Sequence, residues 1–322
     1  MNPEFYGNLY RQYQTYVRTY DPARPVRKIC CGPNVDDYEW TEKTLETCFR
    51  RAPKERHGFM DGISLHYYVH PEGWERKGSA TEFDTETFYK TLAKAFYMGE
   101  LIDRHSAILA RYDPEGQVGL IVDEWGTWHT VEPGTNPGFL YQQNTMRDAL
   151  VAAMTLNIFN KRAGRVRMAN IAQMVNVLQS VLLTEGARMV KTPTYHVFDL
   201  YKEHQDAELL ESYLVTENIG AGEWSVPDLS ESASVSADGT VHITIANLHP
   251  EREREVETEL SGCAVEGVTG RLLRGDMRAM NTFDAPDNVT VTPFENVENG
   301  KTALRFTLPA CSVLALTVQL KR

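Results

Sequence analysis

Glu124 is the residue whose type and setting are best suited to chemistry. It follows the apolar run Val118-Gly119-Leu120-Ile121-Val122 and Asp123, and precedes Trp125, Gly126, Thr127 and Trp128. A carboxylate at the end of a buried strand, among aromatic rings, suits the hydrolysis of a sugar. Aromatic faces stack on the ring, and the carboxylate attacks the anomeric carbon or stabilises an oxocarbenium-like state. An ion-paired or capping glutamate is the plainer reading, and the local sequence leaves the two balanced. Asp123 alternates to the other side of the strand and reads as a structural ion-pair or hydrogen-bonding residue. His66 and Tyr68, two apart at a strand end, share a face. They could hold a carboxylate or a sugar hydroxyl, although two hydrogen-bonded core residues explain them more simply. Asn170 and Gln173 flank another strand end, where amides can read hydroxyl groups; helix capping is the alternative and is preferred for Asn170. Trp125 and Trp128 read as a binding wall rather than core fillers. Cys30-Cys31 could be nucleophilic, but buried thiols are usually inert. No phosphate-binding glycine loop, dinucleotide fingerprint, H-E-x-x-H or G-x-S-x-G is present.

The elements that must position these residues follow from periodicity. Residues 1–200 alternate helix and strand patterns. Helices are predicted over Glu4–Tyr20, Thr41–Arg51 (started by Thr41 or Asp37), Phe83–Arg111 (capped by Asp84 or Thr85), Phe139–Arg162 and Ile171–Thr184. Strands are predicted over Val26–Cys30, Gly62–Tyr68, Val118–Asp123 and Arg165–Asn170. Alternating strands and long helices imply a parallel sheet, with the chemistry at the strand C-termini. Beyond about residue 205 the pattern becomes short alternating strands, among them Thr240–Leu248 and Ser312–Leu320, which read as an antiparallel sandwich. The charged run Glu251–Glu259 reads as a solvated edge strand or loop. The fold class is therefore α/β followed by all-β, with domains at 1–200 and 201–322.

Composition narrows the partners. Apolar residues make up 42% of the 322, enough for a packed core. The formal charge of −11 argues against a nucleic-acid binder. No apolar run approaches the roughly 20 residues of a membrane span, and the first residues lack the apolar core of a secretory signal. Five cysteines, two adjacent and none in a C-x-x-C pair, resemble neither a disulfide framework nor a zinc site. Reduced thiols in a cytoplasmic protein are expected, with Asn288-Val289-Thr290 an incidental sequon. No metal or organic cofactor is expected.

Several segments, taken in order, resemble glycoside hydrolase family fifty-one, known chiefly for α-L-arabinofuranosidases. They are Asn2-Pro3-Glu4-Phe5-Tyr6, Cys31-Gly32-Pro33-Asn34, Ser64-Leu65-His66-Tyr67-Tyr68, Asp123-Glu124-Trp125 with Trp128, and Asn170-Ile171-Ala172-Gln173-Met174-Val175-Asn176-Val177. The resemblance implies a (β/α)8 barrel with a jelly-roll-like C-terminal sandwich, and retaining release of terminal α-L-arabinofuranosyl groups by two glutamates. It makes Glu124 the nucleophile at the end of the seventh strand. It makes Trp128 the aromatic bordering the arabinose site, and His66, Tyr68 and Gln173 substrate-binding residues.

The resemblance also implies a deficit. A closed barrel needs eight strands and about 250 residues, and only four strand–helix units are legible here. The family's acid/base glutamate belongs to a Gly-Asn-Glu motif at the fourth strand, and no such motif occurs in this chain. Glu4, Glu72 and Glu132 do not end a strand beside Glu124. Residues 1–200 then correspond to strands five to eight of a barrel, and the chain is expected to be inactive alone. Expected partners are an arabinose-containing oligosaccharide and either a second copy or the missing N-terminal half. Related activities on β-linked glucans or xylans stay open. The alternative is a non-catalytic, carbohydrate-binding or structural remnant.

Overall fold

The computed structural model describes residues 1–50 and 59–321. They form two compact units, each drawn from several stretches. The first comprises Met1–Tyr68, Tyr97–Trp125 and Arg162–Asn170; the second comprises Val69–Phe96, Gly126–Lys161 and Ile171–Arg322. In chain order the elements are α1 (Pro3–Gln14), β1 (Ile29–Cys30), α2 (Tyr38–Phe49), β2 (Gly62–Val69), α3 (Gly73–Arg76), α4 (Thr85–Tyr112), β3 (Gly119–Thr127), α5 (Met146–Asn160) and β4 (Val166–Ile171). A hairpin of β5 (Leu182–Glu185) and β6 (Arg188–Lys191) and then α6 (Pro193–Tyr201) follow.

Local chemistry sets the boundaries. Asn2 caps α1 by accepting the Phe5 N–H, with Pro3 at the first helical position. The helix stops at Gln14 rather than reaching Tyr20, because the β-branched Thr15, Val17 and Thr19 follow and Tyr16 and Tyr20 bury nothing. Asp37 caps α2, and Asp84 accepts the Thr87 N–H at the start of α4. The predicted end of α2 at Arg51 lies outside the described residues. The helix predicted from Phe139 begins only at Met146, since Leu140 has a left-handed φ of 53° and Thr145 with Asp148 forms a capping box there.

The helix predicted over Ile171–Thr184 is absent. Asn176 and Leu178 adopt left-handed φ values of 58° and 52°, and the Asn176 side chain clasps Thr184. Apolar spacing there reflects a folded turn pulled inward by the buried Gln179. The helix after β4 is α6, capped by Thr192 and opened by Pro193. Asn170 and Gln173 therefore cap no helix.

In the first unit the strands lie in the order β1-β2-β3-β4, with β1 and β2 parallel. The Gly119 N–H donates to Asp61 O at 2.9 Å and the Leu120 N–H to Arg165 O at 2.7 Å, so β2, β3 and β4 start side by side and run one way. Leu120, Ile121 and Val122 are buried, as a strand covered on both faces requires. Among the described residues no strand pairs with the outer side of β1 or β4. Just beyond β1, Gly32 passes so near β2 that a Cβ on it would fall 1.6 Å from the Ser64 carbonyl oxygen.

The second unit contains the antiparallel strands. They are β7 (Glu208–Leu210), β8 (Asn218–Ala221), β9 (Trp224–Pro227), β10 (Leu229–Val235), β11 (Val241–Asn247), β12 (Arg254–Glu259), β13 (Val265–Arg274), β14 (Val291–Phe294), β15 (Glu298–Asn299), β16 (Ala303–Leu308) and β17 (Ser312–Leu320). A sheet ordered β14-β13-β17-β11-β10-β7 and one ordered β12-β16-β15 share a core that includes Ile243, Ile245, Leu304, Phe306, Leu314 and Leu316. The alternation read from the sequence puts these residues inward. β12 is an edge strand with Glu255, Glu257 and Glu259 exposed, as its charge pattern predicts. Helix α5 is buried on nearly every side, and its Asn157 accepts hydrogen bonds from Ser232 and Thr244.

Gly32→Ala is expected to cost about 1–3 kcal/mol, because backbone has to move to admit a methyl group. Gly164→Ala, where a Cβ meets nothing within 4 Å, is the control. Equal melting temperatures for the two variants would refute the steric account.

Candidate active site

β2 and β3 bring four polar side chains together in the first unit. His66 and Tyr68 lie on one face of β2, while Tyr67 between them is buried with its ring edge-on to Tyr97 at 5.8 Å. The Tyr68 hydroxyl donates to Glu124 Oε2 at 2.9 Å. The His66 ring lies between two carboxylates: Nε2 is 3.0 Å from Asp123 Oδ1 and Nδ1 is 3.5 Å from Glu124 Oε2. Asp123, expected on the other side of the strand from Glu124, instead meets the same His66 ring. The Glu124 side chain is 47% exposed, so one face of the carboxylate is open to an incoming molecule. Burial, then the hydrogen bond to Glu124, raises the Tyr68 pKa above that of an ordinary phenol. The phenol stays a donor, and a donated proton stabilises the charged carboxylate.

The cysteines do not compete for the role of nucleophile. Burial and then the neighbouring Asp123 push the Cys31 thiol up. The Cys48 contact and then burial push Cys30 far higher. Both are held as thiols, which are poor nucleophiles.

Trp128 belongs to the second unit, where it joins an aromatic cluster. Its ring is 5.3 Å from Trp74 and 5.5 Å from His70, and the Lys77 ammonium sits 4.5 Å from the Trp74 centroid and 5.3 Å from that of Trp128. Trp74 is 64% exposed, an unusual cost for an indole unless it meets a ligand or partner. Trp125, expected in a binding wall, is instead 1% exposed and fills the core of the first unit. Gln173 stands exposed on the turn after β4, in the second unit, with its N–H bonded to Val177 O. The other glutamates weighed as acids have separate partners: Glu72 pairs with Lys90, and Glu132 accepts the Gln143 N–H. Glu4 lies in the first turn of α1.

The backbone on either side of Trp128 is fixed by buried side chains. Gln179 Oε1 accepts the Thr127 N–H at 2.8 Å, and Gln142 Oε1 accepts the His129 N–H at 2.7 Å. The Thr127 hydroxyl donates to Asp148 Oδ1 at 2.9 Å, and Gln179 Nε2 donates to the Asp148 carbonyl at 2.7 Å. His129 Nε2 lies 2.9 Å from Asp148 Oδ1 and 2.8 Å from Arg147 Nη2. Burial alone would raise the Asp148 pKa, but the Arg147 charge and the contacts with His129 and Thr145 outweigh it and hold the carboxyl well below its usual range. His129 is held neutral by burial and by Arg147. This network, together with Trp74 and His70, escaped sequence reasoning. Its one local signal was the Thr145-x-x-Asp148 spacing of a capping box.

Asp148→Asn is expected to cost about 3 kcal/mol at neutral pH, because it strands a buried arginine. The folded-state pKa of Asp148 is depressed, so its stabilisation is present above the ordinary 3.8 and lost as pH falls through the folded value. In denaturant titrations the gap between parent and variant should therefore be full above about pH 3.8 and narrow steadily as the pH falls below it. A constant gap across pH 3 to 7 would show that ionisation is not what stabilises.

Residues 123–312 match the α-L-arabinofuranosidase C-terminal domain family. The chain is 41% identical to an intracellular exo-α-L-arabinofuranosidase of Bacteroides ovatus, over 99% of this chain and 61% of that one. It superimposes on a family fifty-one arabinofuranosidase of Xanthomonas axonopodis pv. citri with a TM-score of 0.93 at 43% identity, covering 99% of this chain and 63% of that one. An α-L-arabinofuranosidase of Thermotoga maritima, in complex with arabinose, shares the fold at 23% identity with a TM-score of 0.77. The chain thus spans about three-fifths of the length of the relatives it matches.

Proposed function

From the premise that the chain belongs to the α-L-arabinofuranosidase C-terminal domain family, as a C-terminal portion of a family fifty-one glycoside hydrolase, we propose that it carries the nucleophile of a retaining exo-α-L-arabinofuranosidase and that Glu124 is that nucleophile. The observation that carries this reading is the half-open Glu124 carboxylate, aimed by the Tyr68 hydroxyl and the His66 ring. A nucleophilic carboxylate must be fixed and reachable from one side, and this one is held by two partners and half exposed. His66 and Tyr68 hold the carboxylate and meet the sugar, Trp128 borders the furanose ring, and Gln173 reads a sugar hydroxyl. The substrate is a terminal α-L-arabinofuranosyl group on an oligosaccharide or polysaccharide. The five free cysteines and the relative's printed designation as intracellular support a cytoplasmic setting.

A retaining mechanism needs a second carboxyl about 5–5.5 Å from the first to protonate the departing oxygen and later activate water. We propose that this acid/base comes from the portion of the relatives that the chain does not span, and that the sheet β1-β2-β3-β4 is the second half of a (β/α)8 barrel beside a jelly-roll-like sandwich. With an aryl arabinofuranoside whose leaving group departs without protonation, the chain should form the glycosyl-enzyme and release arabinosyl azide when azide is supplied. Glu124→Gln should lower that yield about a thousandfold or more. Undiminished azide product in the variant would refute the assignment. Rapid hydrolysis of an unactivated arabinoside by the chain alone would refute the missing acid.

Among the described residues the two outer strands, β1 and β4, offer unpaired parallel edges. We propose that they are covered by the N-terminal half of the barrel or by a second copy of the chain. Size-exclusion chromatography with light scattering should show a dimer, a larger assembly or a complex with a co-expressed N-terminal half. A monodisperse monomer that stays soluble at high concentration would contradict this.

A further inference from the structure

The loop that presents Trp74 is held by two lysines of α4. Lys94 Nζ donates to the carbonyls of His70 at 2.7 Å and Pro71 at 2.9 Å, and Lys90 Nζ pairs with Glu72 Oε1 at 3.0 Å. The far end of the same loop is tied by Thr130, whose N–H donates to Gly78 O and whose hydroxyl donates to Arg76 O. Lys90 and Lys94 are one helical turn apart, so their like charges repel. Both ammonium groups lie over one indole, that of Trp224, at 5.7 and 6.0 Å from its centroid. Trp224 is the first residue of β9, in the hairpin β8–β9 that leads into the large antiparallel sheet. The hairpin turns at Gly222, with φ of 60°, and seats there against α4: a Cβ on Gly222 would come within 2.6 Å of Glu86 Oε1.

We propose that Trp224 is a positioning residue for the aromatic wall: its ring stabilises the paired lysine charges, the lysines fix residues 70–72, and those residues hold His70 and Trp74 against Trp128. The C-terminal β region would then set the affinity for a sugar that it never touches. A ring face stabilises a nearby ammonium and screens it from its neighbour. Without it the two flexible side chains swing into water and release the carbonyls they hold. The proposal rests on reading Trp128 and its neighbours as sugar-facing.

The test uses the full chain and two readouts. Hydrogen–deuterium exchange of residues 70–78 reports the positioning, and quenching of tryptophan fluorescence by α-1,5-arabinotriose reports the wall. Trp224→Ala should speed exchange at 70–78 and weaken arabinotriose binding by about fivefold each, and Trp224→Phe should restore both. Lys94→Met, which keeps the aliphatic stem, should speed exchange in the same segment and serves if Trp224→Ala does not fold. Unchanged exchange at 70–78 in Trp224→Ala or Lys94→Met overturns the proposal, as does failure of Trp224→Phe to rescue. Absence of arabinotriose binding by the parent chain overturns the sugar-facing reading, and the exchange readout then decides the positioning by itself.

Discussion

The end of the parallel sheet that bears His66 and Glu124 depends on one close approach of two backbones. Gly32 lies against the Ser64 carbonyl with no room for a side chain, and its N–H donates to the Ser64 hydroxyl at 2.9 Å. That contact brings the segment after β1 alongside β2, so the Val35 N–H reaches His66 O at 2.9 Å and Asn34 pairs with His66. His66 is thereby fixed at both neighbours in the sheet, by backbone on one side and by Asp123 and Glu124 on the other. The geometry of the carboxylate thus follows from a steric condition two residues away in β2, which only glycine satisfies.

The second unit solves a different problem with side chains. Where β3 ends, the Trp128 N–H still donates to Val69 O of β2 at 3.0 Å, but on the other side the N–H groups of Thr127 and His129 meet no strand among the described residues. Gln142 and Gln179 stand in for that missing strand by accepting from His129 and Thr127. Gln179 also donates to the Asp148 carbonyl, which ties the backbone at Trp128 to residues far along the chain.

This division explains what could be read beforehand. The strands bearing Glu124, His66 and Tyr68 were legible, because a buried parallel strand is an unbroken apolar run; the end of β3 was set too early at Asp123, since the strand carries its polar pair and continues through the buried Trp125 to Thr127. The alternating strands of the sandwich, such as β11 and β17, were legible for the same periodic reason. The segment from Ile171 to Thr184 was misread because its apolar spacing mimics a helix, while left-handed residues at Asn176 and Leu178 and a hairpin after them leave no periodic trace. Trp74 was passed over in a polar loop, since its significance lies in three rings and a lysine that only the folded chain assembles. Trp125 shows the converse: a tryptophan beside the key carboxylate can belong wholly to the core.

Helix α5 enters its unit buried on nearly every side while carrying two charges in its first turn. Those charges are neighbours in sequence, and Arg147 Nη2 lies 3.8 Å from Asp148 Oδ1. The counter-ion therefore travels with the charge it neutralises. With His129 neutral, the helix presents no net charge to the interior it joins. Docking then requires no long-range search for a compensating ion, and the loop closures that remain, to Gln179 and Thr127, need only complete hydrogen bonds around a segment whose electrostatics are already settled.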